Sequence, residues 1–110
     1  MSTNFRNYLT AGIGTSTTTV YNPTTAGIQS TVIGLILSNI SSAPVTATVT
    51  LTKDGTTVSI IKNATIAVGN ALDVAGSGSR IVVSQSDILS VSSSAASSID
   101  VTVSAVEVLQ

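Results

Sequence analysis

The clearest pattern in the sequence is a two-residue alternation of apolar and polar side chains between residues 31 and 52. In residues 45–52 valine, alanine and leucine alternate with threonine, which predicts a half-buried β-strand with a hydroxyl-bearing outer side. Residues 32–37 are apolar at every position except Gly34, a pattern typical of a central strand that is covered on both sides. The polar run before Pro44 predicts that the chain reverses between these two strands.

The remainder of the chain contains short β-rich runs separated by turn residues. Asp54-Gly55 stands between two such runs and is a strong hairpin signal. No stretch of ten residues has the period of an amphipathic helix. The sequence therefore predicts an all-β fold, an antiparallel β-sandwich or jelly-roll-like single domain over residues 16–110. Its further strands are expected at residues 15–21, 58–62, 63–68, 72–74, 81–83, 88–92 and 99–108.

The last strand changes the phase of its pattern. Its apolar residues alternate as far as Ala105, after which Val106 and Val108 fall on the opposite side and Glu107 takes the formerly apolar side. A β-bulge near Ala105 would restore the register. Alternatively, Val106 and Val108 leave the domain's own core and contact a neighbouring molecule.

Residues 1–15 show no sustained period, and we interpret them as an extended N-terminal arm. Two of the three aromatic residues of the chain lie in this segment, and aromatic side chains are enriched at protein interfaces. The alternative is that they fold back onto their own domain. The candidate partner-interface residues are Phe5, Arg6, Tyr8, Leu9, Ile13, Val106 and Val108.

Composition argues against enzyme chemistry. Cysteine and histidine are absent, which removes disulfides, thiol nucleophiles, the usual zinc ligands and the most common proton-transfer group. Serine is abundant, but a serine nucleophile would lack a histidine base. The acidic residues are scattered, and Asp54 and Asp87 are expected to form turns. Residues 76–80 are expected to form a glycine-rich turn rather than a phosphate loop. We expect no enzyme activity, cofactor or metal.

Charge indicates which partners to expect. Charged residues make up 8% of the chain and the net charge is −1, so no nucleic acid or membrane partner is expected. The N-terminal residues lack the apolar core of a signal peptide, and no segment has the roughly 20 apolar residues of a membrane span. Weak charge repulsion and sheet edges with few protecting lysines or prolines favour association. We expect a closed homo-oligomer, with three copies as the expected number.

Several short motifs occur in an order that resembles small virion proteins of tailed bacteriophages, particularly phages of cyanobacteria and marine bacteria. They are Ile33-Gly34-Leu35 before Ser38-Asn39, a serine-rich turn before Val45, Lys62-Asn63 followed by Ile66 and Gly69, Asp87 before a strand ending in Ser93-Ser94, and a final Asp100-Val101 strand.

The resemblance implies a non-enzymatic β-sandwich component of the virion. The first role that the resemblance implies is that of a head decoration (cement) protein, which is made in the host cytoplasm, binds the major capsid protein on the outer shell and bridges capsid subunits. A tail, baseplate or fibre component is the main alternative. A carbohydrate-binding adhesin module is a third possibility, although the chain has no tryptophan and only three aromatic residues for stacking on sugars.

Overall fold

The computed structural model describes residues 2–75 and 80–109. These residues form two antiparallel sheets packed face to face, which confirms the predicted all-β sandwich. The part of the chain so described contains no α-helix. The strands are β1 (Ser2–Ile13), β2 (Thr18–Tyr21), β3 (Ile28–Asn39), β4 (Val45–Lys53), β5 (Thr56–Ile66), β6 (Ala71–Asp73), β7 (Ile81–Ser84), β8 (Ile88–Ser93) and β9 (Ile99–Leu109).

The connectivity is that of a jelly roll. One sheet has the order β1-β9-β3, with β6 and β7 both paired to the far side of β3, and the other has the order β2-β8-β4-β5. Successive strands cross from one sheet to the other except within the β4–β5 hairpin and between β6 and β7. This crossing pattern produces the nested Greek keys by which jelly rolls enclose one core between two sheets.

The core lies between the sheets and is built by the two-residue period of the strands. Leu35 and Leu37 of β3 face Val49 of β4 and Leu89 of β8 within a single buried cluster. All four side chains are fully buried. The central place predicted for residues 32–37 is confirmed, since β3 lies between β9 and the β6/β7 pair.

The outer side of β3, however, is not covered as predicted. Ile33 and Ile36 are each 38% exposed, because no element of the described chain packs over that side of the sheet. The apolar character of residues 32–37 on both sides therefore does not reflect burial inside the domain.

The β-bulge predicted in the last strand near Ala105 is absent from β9. Buried and partly exposed residues alternate along β9 without interruption as far as Glu107, and the side chain of Glu107 faces the interior. The extra residue lies instead in β3, where Val32 pairs with Ala105 and Gly34 with Ser104, leaving Ile33 unmatched. Glu107 can occupy an interior position because its carboxylate accepts hydrogen bonds from two tyrosine hydroxyls there.

Two turn predictions are confirmed and one strand boundary is corrected. Asp54 and Gly55 adopt positive φ angles of 50° and 82° in the β4–β5 hairpin, and Asp87 accepts the N–H of Ser84 in a tight turn. The two strands expected at residues 58–62 and 63–68 are one strand, β5, bulged where Asn63 has a φ of 54°. Of the predicted glycine-rich turn, residues 76–79 lie outside the described residues.

The separate N-terminal arm is also corrected. Ser2–Ile13 form β1, which pairs with β9 from Ser2–Leu109 to Ile13–Ile99 and forms an edge of the domain's own sheet. The pairing shifts near Gly12, whose φ of 67° and N–H to the Asp100 carboxylate mark a bulge. This bulge and the mixed composition of residues 2–11 hide the two-residue period of the strand. The alternative interpretation, in which these residues fold back onto their own domain, is the one that the structure shows.

Replacing Leu35 by alanine should lower the free energy of unfolding by about 2–5 kcal/mol, because it removes a fully buried side chain and leaves a cavity. Its neighbour Ile36 is 38% exposed on the open side, so Ile36→Ala is the matched control and should cost less than about 1 kcal/mol. Denaturant unfolding measures both. Equal losses would mean that the side of β3 bearing Ile36 is packed in solution.

Deleting residues 2–10 should destabilise the domain by more than about 3 kcal/mol, because it uncovers β9 and removes Tyr8 from its packing and hydrogen bond. The control deletes only Ser2 and Thr3, which are exposed at the start of the strand. Thermal unfolding of both proteins is the measurement. If the protein lacking residues 2–10 unfolds at the same temperature as the full chain, these residues form an independent arm rather than a strand of the sheet.

Candidate functional site

The two outer surfaces of the sandwich differ in chemistry. The outward side of the β1-β9-β3-β7 sheet, which we call the apolar face, is rich in large apolar side chains. Three of its members are conspicuously accessible, Phe5 at 78%, Leu9 at 72% and Val82 at 63% exposed. The apolar members of this face are Phe5, Leu9, Ile33, Ile36, Val82, Val106 and Val108.

Strand pairing explains why these residues meet. Residues directly opposite one another in antiparallel strands point to the same side of the sheet. Phe5 lies opposite Val106, Val106 opposite Thr31, and Thr31 opposite Val82, so one row of side chains crosses four strands. The row contains three apolar side chains and one threonine, and its two ends are the most exposed.

The apolar face is uneven. Between Phe5 and the bulged Ile33 lies a depression of about 320 Å³, with Asn7 and Ser104 in its lining. A second depression of about 230 Å³ lies beside Leu9. Gly34 and Ser104, which are paired across β3 and β9, are both small, and a Cβ added to Gly34 would lie 3.5 Å from the Cβ of Ser104. Large side chains therefore stand at the margins of a shallow centre.

The outward side of the β2-β8-β4-β5 sheet carries hydroxyl groups instead, and we call it the hydroxyl face. Some of these groups bond locally. Thr52 and Thr57 share a hydrogen bond of 2.8 Å, and Thr48 accepts the N–H of Asn63 at 3.1 Å at the β5 bulge. The face is formed by Thr19, Thr46, Thr48, Thr50, Thr52, Thr57, Ser59, Ser90 and Ser92.

The structure divides the seven candidate interface residues into three groups. It brings Phe5, Leu9, Val106 and Val108 together on the apolar face. Ile13 is 2% exposed and belongs to the core, which corrects its assignment to an interface. The remaining two, Arg6 and Tyr8, turn to the other side of β1 and approach Glu107.

Glu107 is the centre of a buried polar cluster that joins both sheets. Its Oε2 atom accepts hydrogen bonds from the hydroxyl groups of Tyr8 at 2.5 Å and Tyr21 at 2.6 Å. The Nε atom of Arg6 lies 3.5 Å from Oε1. Because Tyr21 gives its one proton to the carboxylate, the hydroxyl of Ser30, 2.7 Å away, donates to Tyr21. β1, β2, β3 and β9 are thus connected through one carboxylate.

The environment of Glu107 makes both tyrosines weaker acids than an exposed tyrosine. Burial, and then the hydrogen bond to Glu107, raise the pKa of Tyr8 to about 12. The same two causes raise the pKa of Tyr21 further above its usual value of 10.0. The rings lie 4.9 Å apart between centroids. Both hydroxyls therefore stay protonated at neutral pH and serve as donors to the carboxylate rather than as proton-transfer groups.

An open cleft of about 380 Å³ adjoins this cluster and is lined by Tyr8, Tyr21, Asn22 and Pro23, among others. Its chemistry does not match a sugar platform well, because Tyr21 is only 4% exposed and its hydroxyl is already bonded on two sides. Within residues 2–75 and 80–109, no group of three acidic side chains is placed to hold a metal ion. In the same ranges no helix is long and apolar enough to cross a membrane.

Sequence reasoning missed Glu107, Tyr21 and Ser30 as a cluster, and it missed Ile33 and Val82 as surface residues. One signal for the cluster is visible in the sequence, since Glu107 occupies the interior phase of an otherwise apolar strand. An acidic residue in that position requires buried donors. No comparable signal marks Val82, whose exposure follows from the pairing of β7 with β3.

Comparison with known proteins supports the fold and gives no family. No family model matches the chain, and no curated protein matches it. A similar solved structure comes from work on Bacillus described as "Bacillus endospore appendages form a novel family of disulfide-linked pili". It covers 99% of this chain and 90% of that chain at 13% sequence identity, with a TM-score of 0.58. At this identity the similarity shows a shared β-sandwich fold alone.

The two tyrosines should titrate well above pH 10 in the folded protein. Because the folded-state pKa values are raised, their contribution to stability is complete below pH 10 and is lost as the pH rises from about 10 to 12 and beyond. Tyrosinate absorbance measures the titration cleanly, since the chain has two tyrosines and no tryptophan.

Glu107→Gln is the matched variant for this titration. It removes the carboxylate's charge, so the tyrosine pKa values should fall toward 10 without reaching it, because burial persists. Titration of both groups near pH 10 in the native protein would show that the cluster does not form.

Proposed function

We propose that this chain is a non-enzymatic structural subunit of a surface assembly, in which the apolar face is buried against a neighbouring molecule. The single observation that carries the proposal is the difference between the two outer surfaces. Phe5, Leu9 and Val82 are each more than 60% exposed on one sheet, whereas the other sheet presents threonine and serine. Large apolar side chains exposed together on one outer surface of a small domain indicate an interaction site.

The particular assembly that we propose is a phage virion, with the chain as a capsid decoration protein made in the host cytoplasm. Support comes from the order of turn and strand motifs that resembles small virion proteins, and from the β-sandwich on which they lie. The hydroxyl face suits a surface directed toward solvent, because threonine and serine hydroxyls bond equally to water and to each other. The partners would be the major capsid protein and further copies of this chain.

A second candidate is a subunit of a filamentous appendage, and a tail, baseplate or fibre part of a phage falls in the same structural category. The observation that favours it is the near-complete overlap with the fold of the endospore pilus protein. The sequence contains no cysteine, so copies of it would have to be joined by non-covalent contacts rather than by disulfides. Concentrated protein that forms filaments visible by electron microscopy would favour this candidate over the decoration protein.

Phage particles freed of their native copy should rebind the wild-type protein and should rebind the Phe5→Ala, Leu9→Ala double variant at least tenfold more weakly. Each exposed apolar anchor is expected to contribute about 1–2 kcal/mol to an interface at its centre. Co-sedimentation with particles gives the affinity. Both residues are exposed, so the variant should remain folded.

The matched control is Val58→Ala, an exposed apolar residue of β5 in the other sheet. It should rebind like the wild type. A double variant that also rebinds like the wild type would place the particle contact outside the apolar face, and a wild-type protein that does not rebind would contradict the decoration function.

A further inference from the structure

The geometry points to a second copy of this chain as the molecule that covers the apolar face, in a two-fold, face-to-face dimer. This inference rests on the proposed function, because it names the partner of the same surface. The chain then attaches to particles as a dimer, and the Phe5→Ala, Leu9→Ala variant rebinds weakly because that dimer is lost. It replaces the three copies expected from the sequence with an even-numbered assembly.

The size of the face is the first argument. The sheet is four strands wide where β1, β9, β3 and β7 lie side by side, and β9 is 11 residues long. β1, β9 and β3 run the length of the face, whereas β7 has 4 residues and β6 has 3. At about 4.8 Å between strands and about 3.3 Å per residue, the face measures roughly 600 Å². A specific interface of standard size buries about 800 Å² on each partner. One copy of the same sheet is therefore a partner of the right extent.

The charge of the face is the second argument. Between Phe5 and Val82 the outward positions carry no ionisable side chain, and Arg6 of the same strand turns to Glu107 on the other side of the sheet. In a two-fold interface each group meets its own copy or a copy of a neighbour, so like charges near the axis would repel. This face has none there. The outward acidic residues of this sheet, Asp100 beside Leu9 and Asp73 opposite Ile36, lie outside that row.

The relief of the face is the third argument. Phe5 and Ile33 line a depression together with Ser104, and Gly34 is the strand partner of Ser104, so protruding and recessed parts lie within one surface. A two-fold operation inverts the order of ridge and hollow between the copies, which lets a protruding side chain of one copy enter the hollow of the other. Such interlocking is the packing that sheet-on-sheet interfaces achieve at about 10 Å separation.

The hydroxyl face lacks this combination. It offers a second copy mainly threonine and serine hydroxyls, which would lose their bonds to water if a copy covered them. Burying them without new hydrogen-bond partners costs free energy. The dimer therefore forms through one sheet and leaves the other sheet of each copy outward.

The test is the mass of the purified protein by light scattering coupled to size separation, over a dilution series through micromolar concentrations. The wild type should have twice the monomer mass of 11.0 kDa. Phe5→Asp should be monomeric, because it places a carboxylate in the apolar interface. Ser59→Asp introduces the same charge at an exposed position of the hydroxyl face and should remain dimeric.

A cysteine variant tests the two-fold geometry separately, because the natural sequence contains no cysteine. Ser104→Cys places a thiol on the outward side of β9 near the middle of the apolar face, where two-fold copies approach one another. Under mild oxidation it should form a covalent dimer faster than Ser59→Cys by at least tenfold. Equal rates, a monomeric wild type, or a dimer that survives Phe5→Asp would each overturn the inference.

The outcomes separate this inference from the proposed function. A stable dimer that does not rebind particles would contradict the virion role and leave the inference intact. A monomer that rebinds particles, and loses that binding in the Phe5→Ala, Leu9→Ala variant, would retain the function and assign the apolar face to a different virion protein.

Discussion

The pairing of β3 with β9 is the contact on which the remainder of the structure depends. It runs from Ile28–Leu109 to Asn39–Ile99 and forms the middle of one sheet. β1 attaches to the free side of β9, and β6 and β7 attach to the free side of β3. Because side chains alternate across a sheet, the register of this one pair determines which residues of the three neighbouring strands enter the core and which form the apolar face.

Ile33 shows how one local irregularity decides the surface chemistry. Before the bulge the interior residues of β3 are Ile28, Ser30 and Val32, and after it they are Leu35 and Leu37. Without the extra residue, the second half of the strand would present its other side to the core. The bulge thereby keeps both leucines buried and turns Ile36 outward, where it joins Ile33, Phe5 and Val106 on the apolar face.

The Glu107 cluster connects the fold to this surface. A carboxylate in the interior is tolerated because two tyrosine hydroxyls and Arg6 meet it, and those groups come from β1 and β2. Tyr8 and Arg6 are thereby held on the inner side of β1, which leaves the alternate positions Phe5 and Leu9 on the outer side. The same interaction that ties the edge strand to its domain therefore orients the residues proposed to contact a partner.

The local pattern of the chain determined the fold class, the turn at Asp54-Gly55 and the central place of β3, because alternation and turn chemistry depend only on neighbouring residues. The same pattern gave Phe5, Leu9, Val106 and Val108 as candidate interface residues, with burial in their own domain as the alternative. It did not show that they lie in one surface, since that follows from β1 and β9, which are distant in sequence, pairing with each other. The bulge at Ile33, the burial of Ile13 and the partners of Glu107 were likewise decided by tertiary structure, because each depends on which strands are adjacent in the sheets, and no local pattern records that adjacency.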